Sequence, residues 1–177
     1  MENNMILAQT ERLILRRYKH EDLNDLYEYL SDKDVLRFEP YGPMDMKAVE
    51  DNLAWRISTD EMIAVETKDS HKMIGNVYLG KRDHRSAEIG FVFNRKFQGQ
   101  GYAKESCAAV TEKAFSDGVH RIFAECDPNN VASWRLLEAL GFRREAHMIK
   151  NIYFFTDENG DPIWKDTYVY AKLNEDR

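Results

Sequence analysis

The sequence predicts a protein of mixed α/β (α+β) class, and three observations carry that expectation. Strand-like segments at about 61–67, 72–81 and 86–94 follow one another across short turns, the spacing of an antiparallel meander. From the last of them onward, residues 86–140 read strand, helix, strand, helix. No Pro/Gly/Ser-rich linker divides the 177 residues, so one domain spanning 1–177 is expected.

In chain order, ERLILRR at 11–17 reads as a strand, and KHEDLNDLYEYLSD at 19–32 sets Leu23, Leu26, Tyr27 and Leu30 at helical spacing. PYGP at 40–43 is a breaker cluster, after which 45–58 returns to helical spacing through Val49, Leu53 and Ile57. The meander strands follow, with DSH at 69–71 and RDHRS at 82–86 as turns. In the third strand Ala87, Ile89, Phe91 and Phe93 alternate with Glu88, Gly90, Val92 and Asn94, so the carboxylate of Glu88 faces away from the apolar side. A helix over 101–117 carries Ala103, Cys107, Val110 and Ala114 along one stripe and stops at Gly118. VHRIFAEC at 119–126 is a strand, DPNN at 127–130 supplies a turn and an N-cap, and the helix at 131–140 closes at Gly141. Apolar segments at about 147–156 and 163–173 flank DENGDP, whose Asn159-Gly160 pair signals a hairpin.

With 43% hydrophobic and 32% charged residues the composition is that of a soluble globular protein. No apolar run approaches the ~20 residues a membrane span needs. MENNMILAQTERL carries acidic and amide residues where a secretory signal would be basic and then apolar, so a cytoplasmic location is expected. The 31 acidic and 25 basic residues give a net charge of -6, which argues against a nucleic-acid surface and is compatible with a cationic substrate. Cys107 and Cys126 are expected reduced and buried, since neither sits beside a histidine or basic cluster that would activate a thiol. His20, His71, His84, His120 and His147 show no ligand spacing, so no metal is expected.

FNRKFQGQGYAKE, at 93–105, runs from the third meander strand through two glycines into a helix. Such a turn aims several backbone N–H groups at one point and adds the positive end of the helix dipole, which suits a phosphate. The P-loop spacing is absent, and a dinucleotide fingerprint begun at Gly99 meets Lys104 where its third glycine belongs. Read alone, Gly99 and Gly101 serve equally well to let the chain turn.

Gln98-Gly99-Gln100-Gly101-Tyr102-Ala103 resembles the Q/R-x-x-G-x-G/A pyrophosphate loop of the GNAT N-acetyltransferases. AEIGFVFN lies where that family has its central strand, and DPNNVASWRLLEALGF is similar to its N-x-x-[AS]…G-F helix. TERLILRR at 10–17 looks like the opening of the ribosomal-protein N-terminal (alanine/serine) acetyltransferase branch, and the whole set covers roughly residues 10–173. The resemblance implies an acyl-CoA N-acyltransferase fold. Its central sheet is mixed and mostly antiparallel, has helices on both faces, and is splayed between the strands at 86–94 and 119–126 to admit acetyl-CoA. It also implies that the backbone of Phe91, Val92 and Phe93 pairs with the pantetheine amides and that Asn130 bonds the pantetheine arm. Gln98, Gly99, Gln100, Gly101, Tyr102 and Ala103 would surround the pyrophosphate. Without a ligand, Phe91 and Phe93 still read as core residues and Asn130 as an N-cap.

Acetyl transfer to a primary amine needs a neutral nucleophile, yet such amines ionise near ~8 at a chain terminus and near ~10 on a lysine-like chain. Direct attack in a ternary complex therefore needs a proton acceptor, and the departing thiolate gains from a donor. Glu88 is the candidate base, the other reading being a solvated or paired glutamate with ordered water as the base. Many family members carry a tyrosine donor four residues before the glycine of G-F, but that position here is Leu137. Ser133 on the first turn of the helix is then the candidate acid, or else a local cap.

The expected activity is transfer of acetyl from acetyl-CoA to a protein N-terminus, a polyamine or another amine-bearing small molecule. Tyr41, Trp55 and Trp164 are candidates to line the acceptor site. Self-association as a homodimer is compatible with this branch. The departure at Leu137 leaves open a catalytically inactive acyl-CoA-binding module, and the strand, Gly-loop, helix order leaves open a nucleotide-binding regulator.

Overall fold

The structure, a computed structural model, describes residues 5 to 176; the first four residues, part of the segment read for a secretory signal, lie outside it. Its strands are β1 (Ile6–Gln9), β2 (Leu13–Arg16), β3 (Met62–Thr67), β4 (Met73–Arg82), β5 (Ser86–Phe93), β6 (Arg121–Cys126), β7 (Arg143–Ile152) and β8 (Lys165–Leu173). They form one 8-stranded sheet in the order β1-β2-β3-β4-β5-β6-β8-β7. Every neighbouring pair is antiparallel except β5 and β6. Parallel neighbours need a long crossover, and here it is the helix α3 (Tyr102–Ser116).

Helices cover both faces, as the alternation of β3 requires. Ile63 and Val65 point into the larger core with Cys107, Val110, Ala114 and Phe115 of α3. Met62 and Ala64 point the other way, onto Leu26 and Leu30 of α1 (Leu23–Leu30) and Val49 and Leu53 of α2 (Met46–Ser58). All six residues of β3 are buried, the pattern of a strand covered on both sides. The remaining helix, α4 (Val131–Ala139), packs Leu137 into the larger core. Among the described residues no helix is long and apolar enough to cross a membrane.

Three differences from the sequence expectation have physical reasons. β1 is a four-residue strand of exposed and half-buried positions, too short to show a period. β7 begins at Arg143 rather than near 147, because its outer positions are charged and exposed, the composition that protects a sheet edge. Asn159 and Gly160 do sit in a turn, with Gly160 at φ +85°, but the ladder of β7 and β8 stops at Ile152 and Lys165. Beyond it the 153–164 segment folds back through a single bridge between Thr156 and Pro162.

Candidate active site

The parallel pair at the centre of the sheet is short. β5 and β6 are in register only at Ser86–Arg121, Ala87–Ile122 and Glu88–Phe123. Beyond Glu88, β5 stays with β4 as far as Phe93, and beyond Phe123, β6 stays with β8 as far as Cys126. The strands therefore part, and the edge of β5 from Ile89 to Phe93 that faces β6 has no ladder partner there.

Two cavities meet in this gap. One, of about 500 Å³, is lined by Phe91 to Phe93, Gln98, Gly99, Gly101 to Lys104, and the first turn of α4. The other, of about 530 Å³, is bounded by the loop at 38–41, α2, β4, β5, β6 and β8. Both are lined by Phe38, Glu39, Phe91, Val92, Asn130 and Ser133. Volumes of this size suit a small-molecule site, and the shared residues mark the boundary at which the two cavities adjoin.

The first cavity presents backbone N–H groups, an arrangement that can cradle an anion. Gly99 and Gly101 adopt φ +74° and +84°, left-handed values that a side chain would strain. Gly101 is the N-cap of α3 and offers no side chain, and the first helical bond of this turn is the one from Glu105 N to Gly101 O, 3.0 Å. The N–H groups of Tyr102, Ala103 and Lys104 therefore have no partner within the helix. The loop is braced from behind. Arg12 donates to the Gln100 carbonyl at 3.1 Å, pairs with Glu105 at 2.7 Å and stacks 4.3 Å over the Tyr102 ring. Gln98 donates to the Phe93 carbonyl at 2.9 Å, closing the loop onto the strand end. Gln100 does not line the cavity; its side chain turns back to the Lys96 carbonyl. Lys104, which sequence reasoning passed over, lines the cavity on the first turn of α3, where a cation runs against the helix dipole unless an anion lies between them.

At the junction, Asn130 caps α4 by accepting the Ser133 N–H at 3.3 Å, which leaves its amide nitrogen without a protein partner among the described residues. Burial pushes the Cys126 thiol up to about 11, against the neighbouring Ser133 hydroxyl, which favours the thiolate. Cys126 is thus a half-buried thiol of the site and not the fully buried residue expected, while Cys107 is buried. Leu137 is 1% exposed and belongs to the core.

The second cavity is built from side chains. Its carboxylates are Glu39, Glu88, Glu125, Asp127 and Asp166, against the cations Arg56 and Lys165. Glu88 accepts from Arg82 at 2.5 Å, and Asp127 from Lys165 at 2.7 Å. Glu125 sits exposed at the rim, and crowding on its protein side together with the charge of Glu88 pushes its carboxyl above the usual range. Burial pushes the Glu39 carboxyl up as well, against the Tyr41 hydroxyl and the Arg56 charge, which favour the anion. Arg56 is itself buried and held by neutral acceptors, Asn52 at 2.6 Å, Tyr18 at 2.9 Å and Asn76 at 3.0 Å. Tyr41 and Trp55 line this cavity as expected, but Trp164 does not. It lies 52% exposed on the hairpin, edge to face with Tyr153 at 5.3 Å. Among the described residues no group of three or more His, Cys, Asp or Glu is placed to hold a metal ion.

Residues 12–143 match the acetyltransferase (GNAT) domain. The chain belongs to the GNAT acetyltransferase family. It is 35% identical over 94% of its length, and 96% of the relative's, to the uncharacterized N-acetyltransferase YnaD of Bacillus subtilis. A GNAT-family acetyltransferase structure from Bacillus anthracis is similar at TM-score 0.87 and 31% identity, covering 97% of this chain and 99% of that one. The fold is also that of a ribosomal L7/L12 alpha-N-protein acetyltransferase solved with coenzyme A, at TM-score 0.80 and 21% identity over 95% and 97% of the two chains. As a GNAT protein this one is an N-acetyltransferase that draws on acetyl-CoA. The splayed mixed sheet implied by its sequence is the sheet observed.

Proposed function

We propose that the protein transfers acetyl from acetyl-CoA directly to the primary amine of a cationic acceptor, bound in the second cavity while the cofactor fills the first. The single observation that carries this reading is the meeting of the two cavities at Asn130 and Ser133 across the gap between β5 and β6. A thioester reaching through the gap would present its carbonyl to an amine arriving from the far side, with no covalent enzyme intermediate.

In this reading the free edge of β5 at Phe91, Val92 and Phe93 pairs with the pantetheine amides, and the Asn130 amide donates to the same arm. The N–H groups from Gly99 to Ala103, with Lys104, hold the pyrophosphate, while Gln98 and Gln100 act by shaping the loop. Ser133 donates to the departing sulfur, the role Leu137 cannot fill. The amine proton leaves to a carboxylate of the acceptor cavity, for which Glu88 is the choice made from sequence. The excess of carboxylates there favours acceptors with more than one positive charge, such as polyamines or aminoglycosides, over an N-terminus flanked by neutral residues.

Free-thiol release from acetyl-CoA, measured across N-terminal peptides, polyamines and aminoglycosides, tests this. Release with at least one cationic amine is expected. Coenzyme A binding with no release across the panel would identify instead a catalytically silent acyl-CoA-binding module.

A further inference from the structure

We propose that Glu39, and not Glu88, is the catalytic residue that takes the proton from the acceptor amine. The proposal rests on the two-cavity reading above and adds to it the group that performs the proton transfer.

Bond making takes place where thioester and amine meet, so the base must lie at the boundary of the two cavities. Six residues line both cavities, and Glu39 is the carboxylate among them. Asp34 lines the cofactor half alone; Glu88, Glu125, Asp127 and Asp166 line the acceptor half alone. Most of these other acids are already engaged. Asp34 pairs with Arg95 at 2.8 Å, Glu88 with Arg82, Asp127 with Lys165, and Asp166 with His147 at 2.8 Å. Glu39 makes no ion pair among the described residues. The groups facing it are the Tyr41 hydroxyl from its own loop and the Arg56 charge from α2, while β5 and α4 present Phe91, Val92, Asn130 and Ser133.

Glu39 is also held in place. Its N–H donates to the Leu36 carbonyl at 3.0 Å, Leu36 is buried in the smaller core, and Met44 N–H ties the far end of the loop to Leu30 at 2.8 Å. A carboxyl raised by burial is closer in basicity to its task at neutral pH than an ordinary glutamate.

The ammonium of the acceptor gives one proton to the Glu39 carboxylate, and the neutral nitrogen attacks the thioester carbonyl. As the C–N bond forms and the C–S bond breaks, the surplus proton on nitrogen passes to sulfur with Ser133 as donor and relay. Glu39 then loses its proton to water through the acceptor cavity. The products are the acetamide, free coenzyme A thiol and one proton.

The test compares pH profiles of kcat/KM for the wild type, Glu39→Gln, Glu39→Asp and Glu88→Gln, with acetyl-CoA and the amine panel above. Glu39→Gln is expected to lose about 100-fold in kcat and the acidic limb of the profile, with the KM for acetyl-CoA within about twofold. Glu39→Asp should regain part of the rate, and Glu88→Gln should keep the limb. Wild-type kcat/KM in Glu39→Gln, or loss of the limb in Glu88→Gln alone, overturns the assignment. If the wild type releases no thiol with any amine of the panel, the two-cavity function fails, and Glu39 is then judged by ¹³C-glutamate NMR. A carboxyl resonance, assigned by its loss in Glu39→Gln, that titrates above the usual range and moves on acetyl-CoA binding supports the proposal. One that titrates normally and ignores the cofactor overturns it.

Discussion

The cofactor half of the crevice is bounded mainly by one continuous stretch, from Phe91 to Lys104, with the first turn of α4 opposite. The acceptor half gathers side chains from the loop at 38–41, α2, β4, β5, β6 and β8. In the proposed reading the first half binds through peptide groups whose direction is set by two positive φ values and one helix start. The second would bind through side chains whose meeting depends on the whole sheet. A backbone site tolerates many residues but not a change of local conformation, whereas a side-chain site is lost one group at a time. Substitutions in the two halves should therefore fail differently.

The largest effect is expected in the cofactor half. Gly101→Glu forces a side chain onto a left-handed residue and sets a negative charge at the mouth of the anion cradle. The strain alone costs about 1–2 kcal/mol, and with the charge the affinity for coenzyme A should fall on the order of 100-fold by calorimetry. Gly101→Ala separates the two causes. Its Cβ would meet the flexible Arg12 guanidinium at 3.4 Å, so it carries the strain with little of the rest. Unchanged affinity in a folded Gly101→Glu protein would remove the loop from the site.

At the junction the expected loss is smaller and kinetic. Ser133→Ala removes the proposed donor to the leaving sulfur and should lower kcat about 30-fold with little change in the KM for acetyl-CoA. A rise in that KM with normal kcat would make Ser133 a binding residue of the cofactor half and blur the contrast.

Leu137→Tyr tests whether the missing tyrosine can be restored. The site is fully packed, so the phenol should overfill it, costing about 1–3 kcal/mol and lowering Tm by about 2–4 °C for each kcal/mol, with no gain in kcat. A faster enzyme would show that the helix can present position 137 to the thioester.

The same contrast explains what could be read from the sequence. The loop at 98–103 was legible as a turn into a helix because Gly99, Gly101 and the Asn130 cap encode their conformation locally, and the meander because its turns lie within a few residues of its strands. Lys104 carried a usable signal, a cation in the first turn of a helix. Glu39 carried none: it lies between Phe38 and Pro40 in a loop without a period, and only the closing of α1 and α2 onto the sheet brings it to β5 and α4. Glu88 stood out in sequence because it interrupts an apolar strand, yet Arg82, six residues earlier across the β4–β5 turn, engages it. The aromatic character of Trp164 points to the acceptor site, but the early end of the β7–β8 ladder turns it to solvent.

The smallest expected effect concerns stability and sharpens the contrast from the acceptor side. Burial holds the Glu39 carboxyl above its ordinary value of 4.5, so the folded state binds this proton more tightly than the unfolded chain. Below that ordinary value both states are protonated and the group costs nothing. As pH rises through the raised folded value, the anion forms in a site that disfavours it and the wild type loses stability. Glu39→Gln, uncharged throughout, should melt a few degrees above the wild type near about pH 8, and the difference should vanish below about pH 4. A variant that melts lower than the wild type at neutral pH would make Glu39 a structural partner of Tyr41 and Arg56. A higher Tm combined with lost activity would mark a carboxylate kept for chemistry against the preference of the fold.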